Sequence, residues 1–294
     1  MSVGRPVRLA LRLTDSPPEM MAEGRFLEAA QMLVDPIPAG LRATTTSGAL
    51  LTGRFEDDGE GWLMEVPPSV SDEGRWPEIE GLLTLVLTTG WRRAGWVPLH
   101  AAGIVDGDRA RLDGGATLVC AGSMGGKTTF TLAMVHRGWL ALGDDKLLLG
   151  EKGGSPVVAA IKHMLNVDPA AAAAWFPELG DLSTLPEYSA WTPKRRVSLR
   201  SVRPSGLAFS ARPRQLVELA RSGGSQTQIT TLSRDDTIAA LLRQSVIPRD
   251  PQVARPIVQA LGHLGQNLRG FRVEIGNDAY SDPTALDPVE AVLR

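Results

Sequence analysis

The segment from Ala116 to Phe130 constrains this chain more than any other. Thr117 to Ala121 is a short, mostly apolar run with two β-branched residues, the length of a buried strand. Gly122, Gly125 and Gly126 follow. Lys127, Thr128 and Thr129 then open a helical pattern that continues through Phe130, Leu132, Ala133 and Val135. Strand, glycine-rich turn and helix in this order approximate the phosphate-binding pattern G-x-x-x-x-G-K-[ST]. Its chemistry needs that order. Backbone N–H groups of the turn and of the first helical turn point at phosphate oxygens, aided by the helix dipole. Lys127 would reach the β- and γ-phosphates, and the Thr128 hydroxyl would bind Mg²⁺. Gly122, Ser123, Met124, Gly125, Gly126, Lys127, Thr128 and Thr129 are the expected nucleotide-binding residues. Two positions depart from the pattern. Ala121 stands where its first glycine belongs, and Met124 where a glycine is common. Gly122 and Gly125 offer the same freedom one residue displaced. A plain glycine-rich turn is the simpler reading, but the strand before it and the helix after it favour phosphate binding.

A second feature lies downstream. Trp139 to Leu142 reads as another buried strand, and it runs into Gly143-Asp144-Asp145. In open α/β sheets ligands bind at the carboxyl ends of the strands. A carboxylate there can hold Mg²⁺ or accept a proton from an attacking hydroxyl. A Gly-Asp-Asp-Lys β-turn is the alternative. Upstream, His100 sits in the apolar run from Trp96 to Val105, where by itself it reads as a core histidine. Lys194, Arg195 and Arg196 precede a strand, either as a solvated basic run or as cations over phosphates.

The chain has 294 residues, a net charge of −2 and a pI near 6.1, which leaves no electrostatic footprint for nucleic acid. Its single cysteine, Cys120, rules out an internal disulfide or a cysteine-based zinc site and fits a small core residue. No apolar run is long enough to span a bilayer, and the first residues lack the pattern of a signal peptide. A cytoplasmic protein without nucleic-acid or membrane partners is expected. Three regions are expected: an α+β domain over 1–72, a connecting helix over 73–95, and a larger α/β domain over 96–294. In the first, strands are read over 7–13, 41–43, 50–56 and 61–66, with a helix from Glu23 to Val34. Trp76, Ile79, Leu82, Leu83, Val86, Leu87 and Trp91 make the packing stripe of the connecting helix. In the last region, a helix over 168–176 takes Asp168 or Asn166 as its cap, and Gln215 to Arg221 reads as a helix. Strands are read over 228–232 and 271–275, and helices over 251–268 and 287–293. His163 and His263 stand alone and read as structural.

The order His100, Gly107, Gly122 to Thr128, Arg137-Gly138 and Asp144-Asp145 resembles the HPr kinase/phosphorylase superfamily, in particular the HPr-kinase-related P-loop kinases of bacterial gene clusters. The resemblance implies an α/β class, α+β overall: a PEP-carboxykinase/HPr-kinase-like P-loop domain preceded by a smaller α+β domain. It implies ATP and Mg²⁺, with Lys127 on the phosphates and Thr128 on the metal. It also implies that one of Asp144 and Asp145 is the general base. Asp144 is assigned as base, and Asp145 as partner of His100 or as a second metal ligand beside Thr128. The activity implied is transfer of the γ-phosphoryl group to a hydroxyl, on a serine of a peptide or protein or on a free alcohol such as serine. A nucleotide-binding peptide-recognition module without turnover is the alternative. Reverse phosphorolysis and homo-oligomer formation, both found in the family, stay open.

Overall fold

The computed structural model describes residues 7–16, 25–27, 32–37, 40–56, 59–71, 76–107, 115–122, 125–185, 187–189, 192–203, 205–245, 247, 251–280, 282 and 284–294. By its internal contacts the chain divides into two units: Met1–Gly95 with Glu187–Pro193, and Trp96–Pro186 with Lys194–Arg294. The architecture is mixed α/β. Among the described residues no helix is long and apolar enough to cross a membrane.

The first unit holds strands β1 (Val7–Leu13), β2 (Arg25–Leu27), β3 (Met32–Ile37), β4 (Gly40–Thr45), β5 (Leu50–Glu56) and β6 (Gly59–Val66), then helix α1 (Trp76–Arg93). The six strands form one sheet in the order β1-β6-β5-β4-β3-β2, with β1 parallel to β6. The helix expected over 23–34 is therefore a pair of strands, with Leu27 opposite Met32 and Arg25 opposite Val34. Phe26, Leu27, Leu33 and Val34 fit a helical face by spacing alone, but Met32 is buried against the sheet and β4 captures the backbone of β3. Pro36 is tolerated because β2 ends before it, so β3 is an edge there. Ile79, Leu82 and Val86 of α1 share one buried cluster with Met32, Ala43, Leu51, Trp62 and Met64. The expected connector thus carries part of this unit's core, while Leu83 and Leu87 of its stripe are exposed. Glu78, in the first turn of α1, is buried and accepts hydrogen bonds from the Ser47 N–H and hydroxyl and from the Thr46 hydroxyl. Those bonds hold its carboxyl below the usual range against the opposing effect of burial.

The second unit is built on β7 (Val97–Leu99), β8 (Ala102–Val105), β9 (Gly115–Cys120), α2 (Lys127–His136), β10 (Leu140–Gly143), β11 (Leu147–Lys152), β12 (Ser155–Ala160), β13 (Met164–Val167) and α3 (Pro169–Trp175). After the short β14 (Glu187–Ser189) of the first unit come β15 (Thr192–Ser198), α4 (Leu199–Val202), β16 (Ser210–Arg221), β17 (Gln228–Thr231), α5 (Arg234–Arg243), α6 (Pro251–Asn267), β18 (Arg269–Ile275) and α7 (Asp287–Leu293). A nine-stranded sheet runs β10-β8-β9-β16-β12-β11-β7, with β18 beside β16 and β17 beside β18. Its centre, β9-β16-β18, is parallel. Successive residues of these strands enter opposite cores, as a period of two requires. Val119, Val217 and Val273 pack with α2 and α7, whereas Leu118, Cys120 and Leu216 pack with α5 and α6.

The helix expected over 215–221 is the second half of β16. Gln-Leu-Val-Glu-Leu-Ala has good helix formers at helical spacing, and local propensity is a weak prior. Leu216, Val217 and Leu219 are all buried, because β9 and β18 flank this strand and helices cover both faces of the sheet. The other late elements form close to where their patterns place them. Ser233 caps α5 by accepting from the Asp236 N–H, and Asp168, rather than Asn166, caps α3 by accepting from the Ala170 N–H.

Candidate functional site

Three chain segments meet at the carboxyl end of β9. The first is the turn that follows it. The Gly125 N–H donates to the Gly122 carbonyl at 3.0 Å, and Gly126 opens α2 at φ 93° with no side-chain cap. The first N–H groups of α2 thus face outward without a capping oxygen, as an anion cradle requires. The irregular glycine pattern has a steric account. A Cβ on Gly125 would lie 2.7 Å from the Cβ of Ala121 and 2.9 Å from the Gly122 oxygen. Ala121 is tolerated at the first glycine position because Gly125 leaves room for its methyl. Ser123 and Met124, expected nucleotide contacts, lie outside the described residues.

The second segment carries the carboxylates. β10 runs antiparallel to β8, and β8 antiparallel to β9, so Asp144 and Asp145 leave the same edge of the sheet as the turn. The Thr128 hydroxyl donates to Asp144 Oδ2 at 2.9 Å, and the Asn166 N–H approaches the same oxygen at 3.4 Å. Asp144 is 3% exposed, and its Oδ1 is buried without a partner. Burial and the neighbouring Asp145 charge push its carboxyl up to about 6, against the opposing hydrogen bonds. Asp145 behaves oppositely. Burial would raise it, but the hydrogen bond and charge of His100, with Lys127 and Lys146 behind, hold it well below the carboxylate range.

The third segment is the link between β7 and β8, which carries His100. Its N–H donates to the Gln244 carbonyl at 2.8 Å, fixing the backbone. Its Nε2 lies 3.1 Å from Asp145 Oδ1 and 2.8 Å from Lys127 Nζ. Half of its side chain is exposed, so it is not the core histidine that its apolar run suggests. Lys127 is buried, which lowers its pKa although Asp145 and Asp144 oppose the shift. These contacts form two sets, Lys127–His100–Asp145 and Thr128–Asp144, held side by side because Lys127 and Thr128, and Asp144 and Asp145, are adjacent in the chain.

The basic run of β15 divides. Arg195 Nη1 turns to the Leu185 carbonyl, while the charge of Lys194 acts on Lys127. Cys120 is a buried core thiol, and burial pushes its pKa up to about 12. His163 is structural, with Nε2 at 2.9 Å from the Ala208 oxygen and its ring edge-on to Phe209.

Beside the turn opens a cavity of about 640 Å³, bounded by His100, Gly122, Glu218, Arg243 and Arg272. Glu218 accepts from both guanidinium groups, which hold its carboxyl below the usual range against burial. The sequence reading missed this trio because it placed Glu218 on a helix. As a residue near the carboxyl end of a parallel strand beside the phosphate-binding turn, it would have stood out. Asn166 was missed as a site neighbour because it read as a cap.

The residues present fit a small, hard cation. The orphaned Asp144 Oδ1 and the adjacent Thr128 hydroxyl are oxygen donors of the kind Mg²⁺ takes. Among the described residues no group of three or more His, Cys, Asp or Glu could hold a metal.

No family model and no curated protein matches the chain. Among solved structures it is similar to the Hpr(Ser) kinase/phosphatase from Coxiella burnetii. The TM-score is 0.37 at 11% identity, over 67% of this chain and 97% of that one.

Proposed function

We propose that this chain is an ATP-dependent kinase that transfers the γ-phosphoryl group to a hydroxyl, on a serine of a peptide or protein or on a small alcohol. One observation carries the reading. Two polar sets drawn from three separate segments, Lys127–His100–Asp145 and Thr128–Asp144, lie side by side at the start of a helix that opens on Gly126 without a side-chain cap. Phosphoryl transfer is mostly positioning and charge neutralisation, and these residues supply both. The turn and the α2 N-terminus bind the phosphates, and Lys127 neutralises them. Thr128 and Asp144 would hold Mg²⁺, which supplies Lewis-acid stabilisation of charge on the phosphates.

The burial of Asp144 favours a division of roles between the two aspartates other than the one expected. Asp144 is sealed against Thr128, whereas Asp145 orients His100, which faces the cavity. We therefore assign the proton of the attacking hydroxyl to the His100–Asp145 pair, with Asp145 as orienting carboxylate. The acceptor oxygen bonds to the γ-phosphorus, the bond to the β-phosphate oxygen breaks, and ADP leaves.

The test is ADP formation with ATP, Mg²⁺ and hydroxyl acceptors, together with nucleotide affinity. His100→Ala should lower kcat by roughly 10²–10⁴ while ATP binding persists. Asp144→Asn should raise the Mg²⁺ concentration needed and lower turnover together. Full activity in both variants rules the mechanism out, and nucleotide binding without turnover on any acceptor favours the recognition-module alternative.

A further inference from the structure

We infer that Asn166 is a third oxygen ligand of the cation held by Thr128 and Asp144, a role that rests on the kinase reading above. Asn166 is 8% exposed, and its side-chain Oδ1 is buried without a hydrogen-bond partner. A buried amide carbonyl in that state is costly, and such groups mark an ion, a water or a functional contact. The Asp144 Oδ1 is buried and unpartnered as well. The two residues are neighbours, since the Asn166 N–H reaches Asp144 Oδ2. Thr128 donates to that same oxygen, so the Thr128 hydroxyl and the Asn166 backbone N–H meet at the Asp144 carboxylate, and the unpartnered Asn166 side chain belongs to a residue that adjoins it.

The strand explains why an asparagine sits there. In β13, Leu165 and Val167 belong to the apolar cluster that includes α2, so Asn166 projects to the opposite face. Capping does not account for it, because Asp168 caps α3. A hydroxyl, a carboxylate and an amide carbonyl are the hard oxygen donors that select Mg²⁺ or Mn²⁺ over softer metals. A neutral amide also adds an oxygen without adding a third negative charge beside Asp144 and Asp145.

The experiment uses the full chain with Mn²⁺ as probe and a non-hydrolysable ATP analogue, free Mn²⁺ being read by electron paramagnetic resonance. Asn166→Leu, close in size but without the oxygen, should weaken Mn²⁺ binding by roughly ten- to hundred-fold. Its affinity for the analogue without metal should stay unchanged. Asn166→Asp should retain Mn²⁺ binding. Wild-type Mn²⁺ affinity in Asn166→Leu overturns the inference. If Asp144→Asn loses the ion while Asn166→Leu keeps it, the kinase site stands and this assignment alone falls. A wild-type chain that binds no Mn²⁺ removes both. Should Asn166→Leu not fold, the pair Asn166→Ala and Asn166→Asp decides: equal Mn²⁺ affinity in the two overturns the inference, and loss only in the alanine variant supports it.

Discussion

At the scale of single residues, Asp144 combines the two demands that conflict most in this protein. It is buried, and it lies next to another carboxylate. Its pKa in the folded chain is raised from 3.8 to about 6, so the folded state holds this proton more tightly than the unfolded one. The resulting stability is fully present below the unfolded value and is lost as pH rises through the folded value. The loss amounts to on the order of 3 kcal/mol at most. Asp144→Asn lacks that loss and can still accept from Thr128. In Mg²⁺-free buffer at about pH 8 it should therefore melt a few degrees higher than the wild-type chain, and the gap should close near pH 4. Calorimetry across that range checks this, and a gap independent of pH would show that the carboxyl is not its source. Asp145 has the opposite sign: its depressed pKa contributes stability at neutral pH that is lost only in strong acid.

At the scale of elements, the phosphate-binding turn was legible because strand, turn and helix are contiguous. Periodicity and glycine placement suffice for such a unit. The exchange of glycine for alanine at 121 became intelligible only when Gly125 was seen against it. Gly125→Ala should distort the turn and lower nucleotide affinity at least tenfold, about 1.4 kcal/mol or more. Ala121→Gly in the same background should restore part of that affinity, because one of the two close approaches is then relieved. Isothermal titration with ADP measures both, and no loss in Gly125→Ala would remove the steric account. The segments 23–34 and 215–221 failed for a shared reason. Each has residues at helical spacing, and each is captured by sheet neighbours, β3 and β4 for the first and the sequence-distant β9 and β18 for the second. β1 shows the converse. Its residues Val7, Leu9, Leu11 and Leu13 alternate as a strand should, yet all are exposed.

At the scale of the whole molecule, each unit has its own apolar core and its own polar tie. In the first, Leu82 is fully buried among Ile79, Val86, Leu51 and Met64. Leu82→Ala should cost about 2–5 kcal/mol, read from denaturant unfolding followed by the fluorescence of Trp62, which lies in that cluster. In the second, Glu290 of α7 accepts from Arg137, from Arg294 and from the indole N–H of the buried Trp139. Glu290→Ala leaves that indole unpaired and should cost about 2–4 kcal/mol at neutral pH, and Glu290→Gln less. Burial raises the Glu290 carboxyl and these hydrogen bonds lower it further, so the difference from wild type should shrink as pH falls below the carboxylate range. The sequence by itself determined the features whose parts lie side by side along the chain: the strand, glycine turn and helix around Lys127, and the Asp144-Asp145 pair at the end of a strand. Tertiary structure alone decided what those features face. It set His100, from an apolar run, against Asp145, turned Gln215 to Arg221 into a strand, brought Asn166 against Asp144, and gathered Glu218, Arg243 and Arg272 around one cavity. The reason is that strand pairing and burial are non-local, so a residue's partners are chosen by segments that its own neighbours in sequence do not reveal.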